Sequence, residues 1–411
     1  MRTVTEHRAA VLGLVEPLPV VRVPIADAAG LVLAQDVRAP EALPRWNNSA
    51  MDGYAVQAHD VAAATLAEPV RLTVLADLPA GSAAEPVVTP GTAARIMTGA
   101  PLPPGADAVV PVEQTDGATD VVAVHAPAAP GAHVRRAGED VAAGELVLAA
   151  GTLLGPRQVA AAASVGCGEV AVHRRPVVAV LSTGSELVAP GARLARGQIP
   201  DSNSFLLAAA ARAAGCDVVR VGAVPDEADA LRAALDAQDG AVDLVITSGG
   251  VSMGAYDVVK EVLAADAGMA FVRVAMQPGK PQGYGRLRGG TPIVALPGNP
   301  VSASVSFEVF VRPAVRRLRG LAADVVEEEA VALEGWTSPP GREQYMPVTY
   351  VGTAAPGDGG ASLPAVRPAV RGGSGSHLVA GLARAEALAV VAADVERVEP
   401  GDRVRLMRAE R

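Results

Sequence analysis

From Pro176 onward, buried-strand runs alternate with helices at a spacing that points to one architecture. PVVAVLSTG is an unbroken apolar run, SNSFLLAAAARAAG a helix, CDVVRVGAV a strand, DEADALRAALDAQ a helix, and DLVITSGG a strand ending in glycines. A helix from about Asp257 to Leu263, strands at FVRVAMQ and TPIVALPG, and a helix opening at NPVSASVSFEVF follow. Runs that are apolar throughout are buried on both faces, and strands joined through helices pair in parallel. The expectation is α/β: a doubly wound parallel sheet over 176–324.

The flanks obey a different grammar. Residues 3–15 read as a helix with Val4, Val11, Leu14 and Val15 on one side, ended near Pro17. From there to about 175 the chain is short apolar or alternating runs cut by Pro and Gly, such as VRLTVLADL and GELVLAAGTLL, with one helix at GPRQVAAAASVG. From about 325, short strands with turn signals (SPPGR, PGDGG, EPGD) return and indicate a small β-barrel or sandwich. At 411 residues, several domains are expected.

Charge narrows the partners. A net charge of −9 leaves no broad basic face for nucleic acid or an anionic membrane, so an anionic substrate needs a local basic pocket. The most apolar stretch, LVLAAGTLLGP, is broken by glycine and proline and is too short to span a membrane, and a soluble cytoplasmic protein is expected. Cys167 and Cys216 have no metal-ligand or CxxC spacing and read as buried free thiols.

In an open parallel sheet, ligands sit beyond the carboxyl ends of the strands. Four loops leave strands that way: LSTGSEL, AVPDEA, TSGGVSMGAYD and LPGNP. They bring the carboxylates Glu186, Asp226 and Asp257, together with Thr183, Gly184, Ser248, Gly249, Gly250 and Ser252, whose small side chains and amides suit phosphate or pterin oxygens. Singly, Glu186 reads as a first-turn helix acid and Asp226 as a cap; together the acids read as a metal or phosphate site, with magnesium as the fitting ion. TSGGVSMG has neither a GK[ST] ending nor a GxGxxG. In LPGNP, Asn299 can cap a helix whose first residue is Pro300, and Ser302 faces the same edge. Of 35 basic residues only Lys260 and Lys280 are lysine, and Lys280 in QPGKP suits a small tetrahedral oxyanion.

One further stretch, NNSAMDGYAV, holds two of the four asparagines around Asp52. A turn followed by a short strand explains its backbone but leaves Asp52 without a role. SAMDGYAV, RIMTGAPLPPGADAVVPVE, RRAGED, LSTGSEL, TSGGVSMGAYD, QPGKP, LPGNPVSA and GSGSH occur in this order over residues 49–377. Together they resemble the molybdopterin molybdenumtransferase family, related to the E domain of gephyrin.

The resemblance implies a homodimer of four-domain subunits: an extended module 1–44 completed by 138–175, an inserted β-rich module 45–137 carrying MDGY, the α/β molybdopterin-binding domain 176–324, and a C-terminal β-barrel 325–411. It implies insertion of molybdenum from molybdate into adenylylated molybdopterin, with magnesium and release of AMP, and therefore an upstream adenylyltransferase as a possible partner. Asp52, Thr98, Glu186, Asp226, Asp257, Pro297 and Pro300 fall on the family's functional positions around pterin and nucleotide, Glu186 and Asp257 being the metal-binding pair. Lys280, Pro281, Ser302, Arg342 and Ser376 fall on its molybdate pocket, and Asp52 is delivered to the site of the other subunit. Many members read KPGKP where this chain has Gln277-Pro-Gly-Lys280. The second reading is a non-catalytic molybdopterin-binding or scaffolding protein. The four acids and Lys280 favour the enzyme, and a nucleotide amidase on the same sheet would need neither MDGYA nor GSGSH.

Overall fold

The computed structural model describes residues 1–251, 258–264, 268–323, 327–355, 361–370, 375–376 and 378–408. Ser252 and Asp257 lie outside the described residues.

The central sheet has six strands in the order Asp217–Val224, Val177–Thr183, Leu244–Ser248, Pro292–Leu296, Pro281–Arg286 and Ala270–Arg273. The first four are parallel, as the strand–helix alternation requires. The last two are antiparallel, so the sheet is mixed at one edge. Successive residues point to opposite faces. Val178 and Val180 pack with Leu207, Phe307 and Phe310 on one side, while Ala179 and Leu181 pack with Leu231, Leu235 and Leu263 on the other. Each buried large side chain contributes about 1.5–3 kcal/mol, so both faces need their helices.

The expected single strand FVRVAMQ is split. Its first part stays in the sheet, but Met276–Gln277 leaves and pairs in parallel with Glu343–Gln344 of the C-terminal domain. That domain is a closed barrel of Glu327–Ala332, Glu343–Ala354, Leu363–Pro368, Ala387–Val391 and Arg403–Arg408, each hydrogen-bonded to two neighbours. Tyr345, Leu388, Val390 and Met407 bury themselves in the same core as the central sheet.

Helix Val4–Leu12 also joins that core, through Val4 and Val11. Thr3 and Glu6 close a reciprocal capping box at its start. Its Arg8 answers an irregularity opposite. Pro313 lacks an amide hydrogen, so the carbonyl of Val309, four residues earlier, has no α-helical donor. The helix widens to a π-turn over Phe307–Val311, and Arg8 Nε donates to Val309 O at 3.1 Å.

The N-terminal half forms two modules, the second with a core on each face of its sheet. One joins Leu33 and Val37 to Leu154, Ala162 and Val172, two stretches separated by more than a hundred residues of intervening chain. The other is built on a five-stranded sheet in the order Ala108–Pro111, Gly53–Val56, Thr92–Ile96, Val70–Leu78 and Val121–Val124. Cys216 is buried and Cys167 half-buried, and both are free; burial pushes the Cys216 thiol up to about 12. Among the described residues no helix is long and apolar enough to cross a membrane.

Candidate active site

After Thr183 the chain crosses to an outer strand on one side of Val177–Thr183, and after Val224 it returns to form Leu244–Ser248 on the other side. A crevice opens where the order reverses in this way. A cavity of about 460 Å³ lies at that point. Thr183, Gly184 and Glu186 line it from the first loop, Asp226 from the second, and Ser248, Gly249 and Gly250 from the third. Pro297, Pro300 and Ser302 close it from the LPGNP side, with Pro281 beside them.

The glycines allow the loops to touch. A side chain on Gly249, whose φ is +98°, would place its Cβ 2.6 Å from the Thr183 carbonyl oxygen, and Gly298 approaches the Gly249 Cα just as closely as packing permits, at 3.3 Å from its own would-be Cβ. The amides of Gly184 and Gly249 are already engaged, donating to Val224 O at 3.2 Å and Leu296 O at 3.1 Å. These two therefore serve loop packing with their N–H groups. Ser182 and Ser248 join hydroxyls at 3.2 Å beneath the cavity floor.

Asp226 and Ser185 bond reciprocally: Ser185 N donates to Asp226 Oδ2 at 3.2 Å, and Asp226 N donates to Ser185 Oγ at 3.0 Å. Asp226 thus ties two loops together and caps no helix; the next helix, Ala228–Asp236, follows Glu227 with no side-chain cap. No helix begins at Glu186 either. Its carboxylate lies over Gly184, where a Cβ would come within 2.6 Å of Oε2. Glu186 and Asp226 are two exposed carboxylates at the lip, the oxygen-donor type that magnesium takes. Among the described residues no three His, Cys, Asp or Glu side chains cluster into a metal site made by protein alone.

Asn299 holds the N-cap position but does not cap with its side chain, contrary to expectation. Its Nδ2 donates instead to Ser376 Oγ at 3.1 Å, and Val301 N donates to the Ser376 carbonyl at 3.2 Å. Ser376 is thereby bound to the cavity rim. Lys280 immediately precedes the lining residue Pro281; it is half-buried and has no acidic partner among the described residues. Arg342 stands on the barrel side and bonds Gln277 at 3.2 Å, outside the lining.

Asp52 and Thr98 lie on the N-terminal β module and do not line the cavity of their own chain. Asp52 ends the turn before Gly53–Val56. Gly53 is required there, since a Cβ would fall 2.0 Å from the Val110 carbonyl oxygen. The exposed Asp52 carboxylate accepts from Thr98 N at 2.7 Å and Thr98 Oγ1 at 2.8 Å, and these bonds hold it below the usual carboxylate range.

Sequence reasoning passed over Asp201 and Asn203, which also line the cavity. The segment IPDSNSF reads as a helix start, and the only signal was that it holds one of four asparagines.

The fold and this crevice define a small-molecule-binding α/β protein carrying β-rich modules before its sheet and a closed barrel after it. Family models make it particular. The MoeA N-terminal region (domain I and II) matches residues 2–166, the probable molybdopterin binding domain 179–317, and the MoeA C-terminal region (domain IV) 329–408. The chain is 51% identical over 352 residues to molybdopterin molybdenumtransferase 2 of Mycobacterium tuberculosis H37Rv, covering 84% of this chain and 87% of that one. It is 38% identical over 426 residues to molybdopterin molybdenumtransferase 1 of the same organism, covering 98% and 97%. The crystal structure of the molybdopterin biosynthesis MoeA protein from Pyrococcus horikoshii OT3 superposes with a TM-score of 0.81 at 28% identity, over 99% of this chain and 100% of that one. The chain belongs to the molybdopterin molybdenumtransferase family, and it is an enzyme of that class.

Proposed function

We propose that the enzyme takes adenylylated molybdopterin and molybdate and yields molybdenum cofactor and AMP, at a cavity one subunit builds and Asp52 of a second subunit completes. The observation that carries this reading is the switch-point cavity, which gathers small polar loops, Glu186 and Asp226 at one sheet edge, with Lys280 beside it and Asp52 on a separate module. The enzyme works in the cytoplasm as a two-fold dimer fed by an adenylyltransferase.

Each residue has a physical task. Thr183, Ser248 and the Pro297–Pro300 loop hold the pterin and phosphates in a fixed pose, which removes orientational entropy before reaction. Lys280 and Arg342 attract the molybdate dianion, and Ser302 and Ser376 offer it hydroxyls. Glu186 and Asp226, with Asp257 from the third loop, are the residues that would hold magnesium. When bound, that ion supplies charge neutralisation to the phosphate oxygens. Asp52, kept ionised by Thr98, orients water or metal at the anhydride.

The test is single turnover of the purified full-length protein with adenylylated molybdopterin, following AMP. Release that needs both molybdate and magnesium is expected. Release unchanged by chelation removes magnesium, and release without molybdate reduces the activity to hydrolysis. Binding without any release supports the scaffolding alternative.

A further inference from the structure

We propose that Asn203 reads the exocyclic amine of a 2-amino-4-oxopteridine ring through its side-chain oxygen, an assignment that rests on the cavity being the pterin site. Asn203 opens helix Asn203–Ala213, lines the cavity and is only 8% exposed. Its Nδ2 donates to the Gly298 carbonyl at 2.6 Å. Because that partner is a pure acceptor, the amide has one orientation, with nitrogen toward Gly298 and oxygen turned away.

Oδ1 is then left without a donor. Buried polar groups are normally paired, and an exception calls for a ligand or water that completes it. The other unpaired buried side-chain atoms among the described residues belong to His7, Asn48, Thr247, Gln282 and Ser338, and none of those residues lines the cavity. The neighbouring carboxylate is differently placed, since both its oxygens already have donors. Asp201 Oδ1 accepts from Ser204 N at 3.0 Å and Oδ2 from Ser204 Oγ at 2.5 Å, so both oxygens are engaged at the start of the helix. Among the lining residues described, Asn203 is therefore the one with a buried acceptor that no donor meets, and it stands beside the loop that bears Pro297 and Pro300.

The occupant must bring an N–H on a planar edge that enters between two loops. A pterin's 2-amino group does so. Replacing that amine by a carbonyl sets two oxygens face to face, and a site built to accept a hydrogen bond rejects such an analogue far more strongly than a site that only encloses it.

The experiment titrates pterin and 2,4-dioxopteridine, both fluorescent, into the full-length protein. Wild type is expected to bind pterin about tenfold more tightly than the dioxo analogue. Asn203→Leu removes the acceptor and brings the ratio to about one, whereas Asn203→Asp keeps an acceptor and keeps the preference. If Asn203 only staples the Gly298 loop or holds an ordered water, both affinities fall together in Asn203→Leu with their ratio unchanged, and the assignment is overturned. A wild type that binds both pteridines equally overturns it too while leaving the cavity reading intact. A wild type that binds neither removes the pterin reading itself, and Asn203's role with it.

Discussion

Arg342 reaches from the barrel to the α/β domain and donates from Nη1 to Gln277 Oε1 at 3.2 Å. The bond sits beside the parallel pairing of Met276–Gln277 with Glu343–Gln344, where Glu343 N also donates to Ala275 O at 2.9 Å. The neutral Gln277 side chain thus supplies the acceptor that holds Arg342. Gln277→Ala and Arg342→Ala should each raise the molybdate concentration needed for half-maximal turnover by about threefold to tenfold, the net scale of one ordinary intramolecular hydrogen bond. Their double variant should fall short of the product of the two effects, since each removes the same bond. Fully multiplicative effects in this cycle would show that Gln277 and Arg342 act independently.

Lys280→Ala should raise the molybdate requirement more than tenfold and leave pterin binding in place. The lysine has no acidic partner among the described residues, so its charge is free for an anion. Equal molybdate titrations for wild type and variant would take Lys280 out of the pocket.

Thr98→Val keeps the backbone donor to Asp52 and deletes the hydroxyl donor. The backbone bond is the larger cause of the lowered Asp52 pKa, so the variant should move that pKa only part of the way back to its ordinary value. Asp52 stays ionised at pH 7, and the acid limb of the pH–rate profile shifts upward. A carboxyl-carbon NMR titration reads the change directly; an unmoved Asp52 would mean that the Thr98 hydroxyl bond is not populated in solution.

Strand–helix alternation made the four parallel strands legible because doubly buried strands are apolar along their length. PQGYGR, the strand Pro281–Arg286, was illegible for the opposite reason. A Cβ on Gly283 would come 2.9 Å from the Phe271 ring and one on Gly285 2.6 Å from the Gly268 carbonyl oxygen, so close packing demands glycines that read as a turn. The acids and small residues of the cavity loops could be named because strand ends announce them. Asn203 could not be, because its importance lies in the Gly298 carbonyl 95 positions away.

His7 makes an acid-sensitive joint between the first helix and the core. It is fully buried, with the rings of Tyr284 and Phe310 edge-on at 5.2 and 4.5 Å and both nitrogens unpaired. Burial, with a smaller push from the Arg2 charge, lowers its pKa to about 4. The unfolded chain, with an ordinary histidine, takes up a proton first as pH falls, so stability is full above about 6.5 and drains away toward 4, by about 3 kcal/mol. His7→Leu should be at least as stable as wild type at pH 7 and lose less on acidification. Parallel losses in urea unfolding at pH 7 and 4.5 would refute this role for His7.

A cavity shared between two chains has a signature in mixed dimers. Asp52→Asn and Glu186→Gln should each be nearly inactive alone, since every site then lacks one acid. Co-expressed under two tags, half the dimers are mixed under random pairing, and one of their two sites regains both acids if Asp52 acts across the dimer. Molybdenum insertion matched one for one by AMP release should then return to about a quarter of the wild-type rate. Recovery near zero with mixed dimers verified by the tags would contradict an Asp52 supplied by the second subunit, and AMP released without molybdenum inserted would contradict the reaction itself.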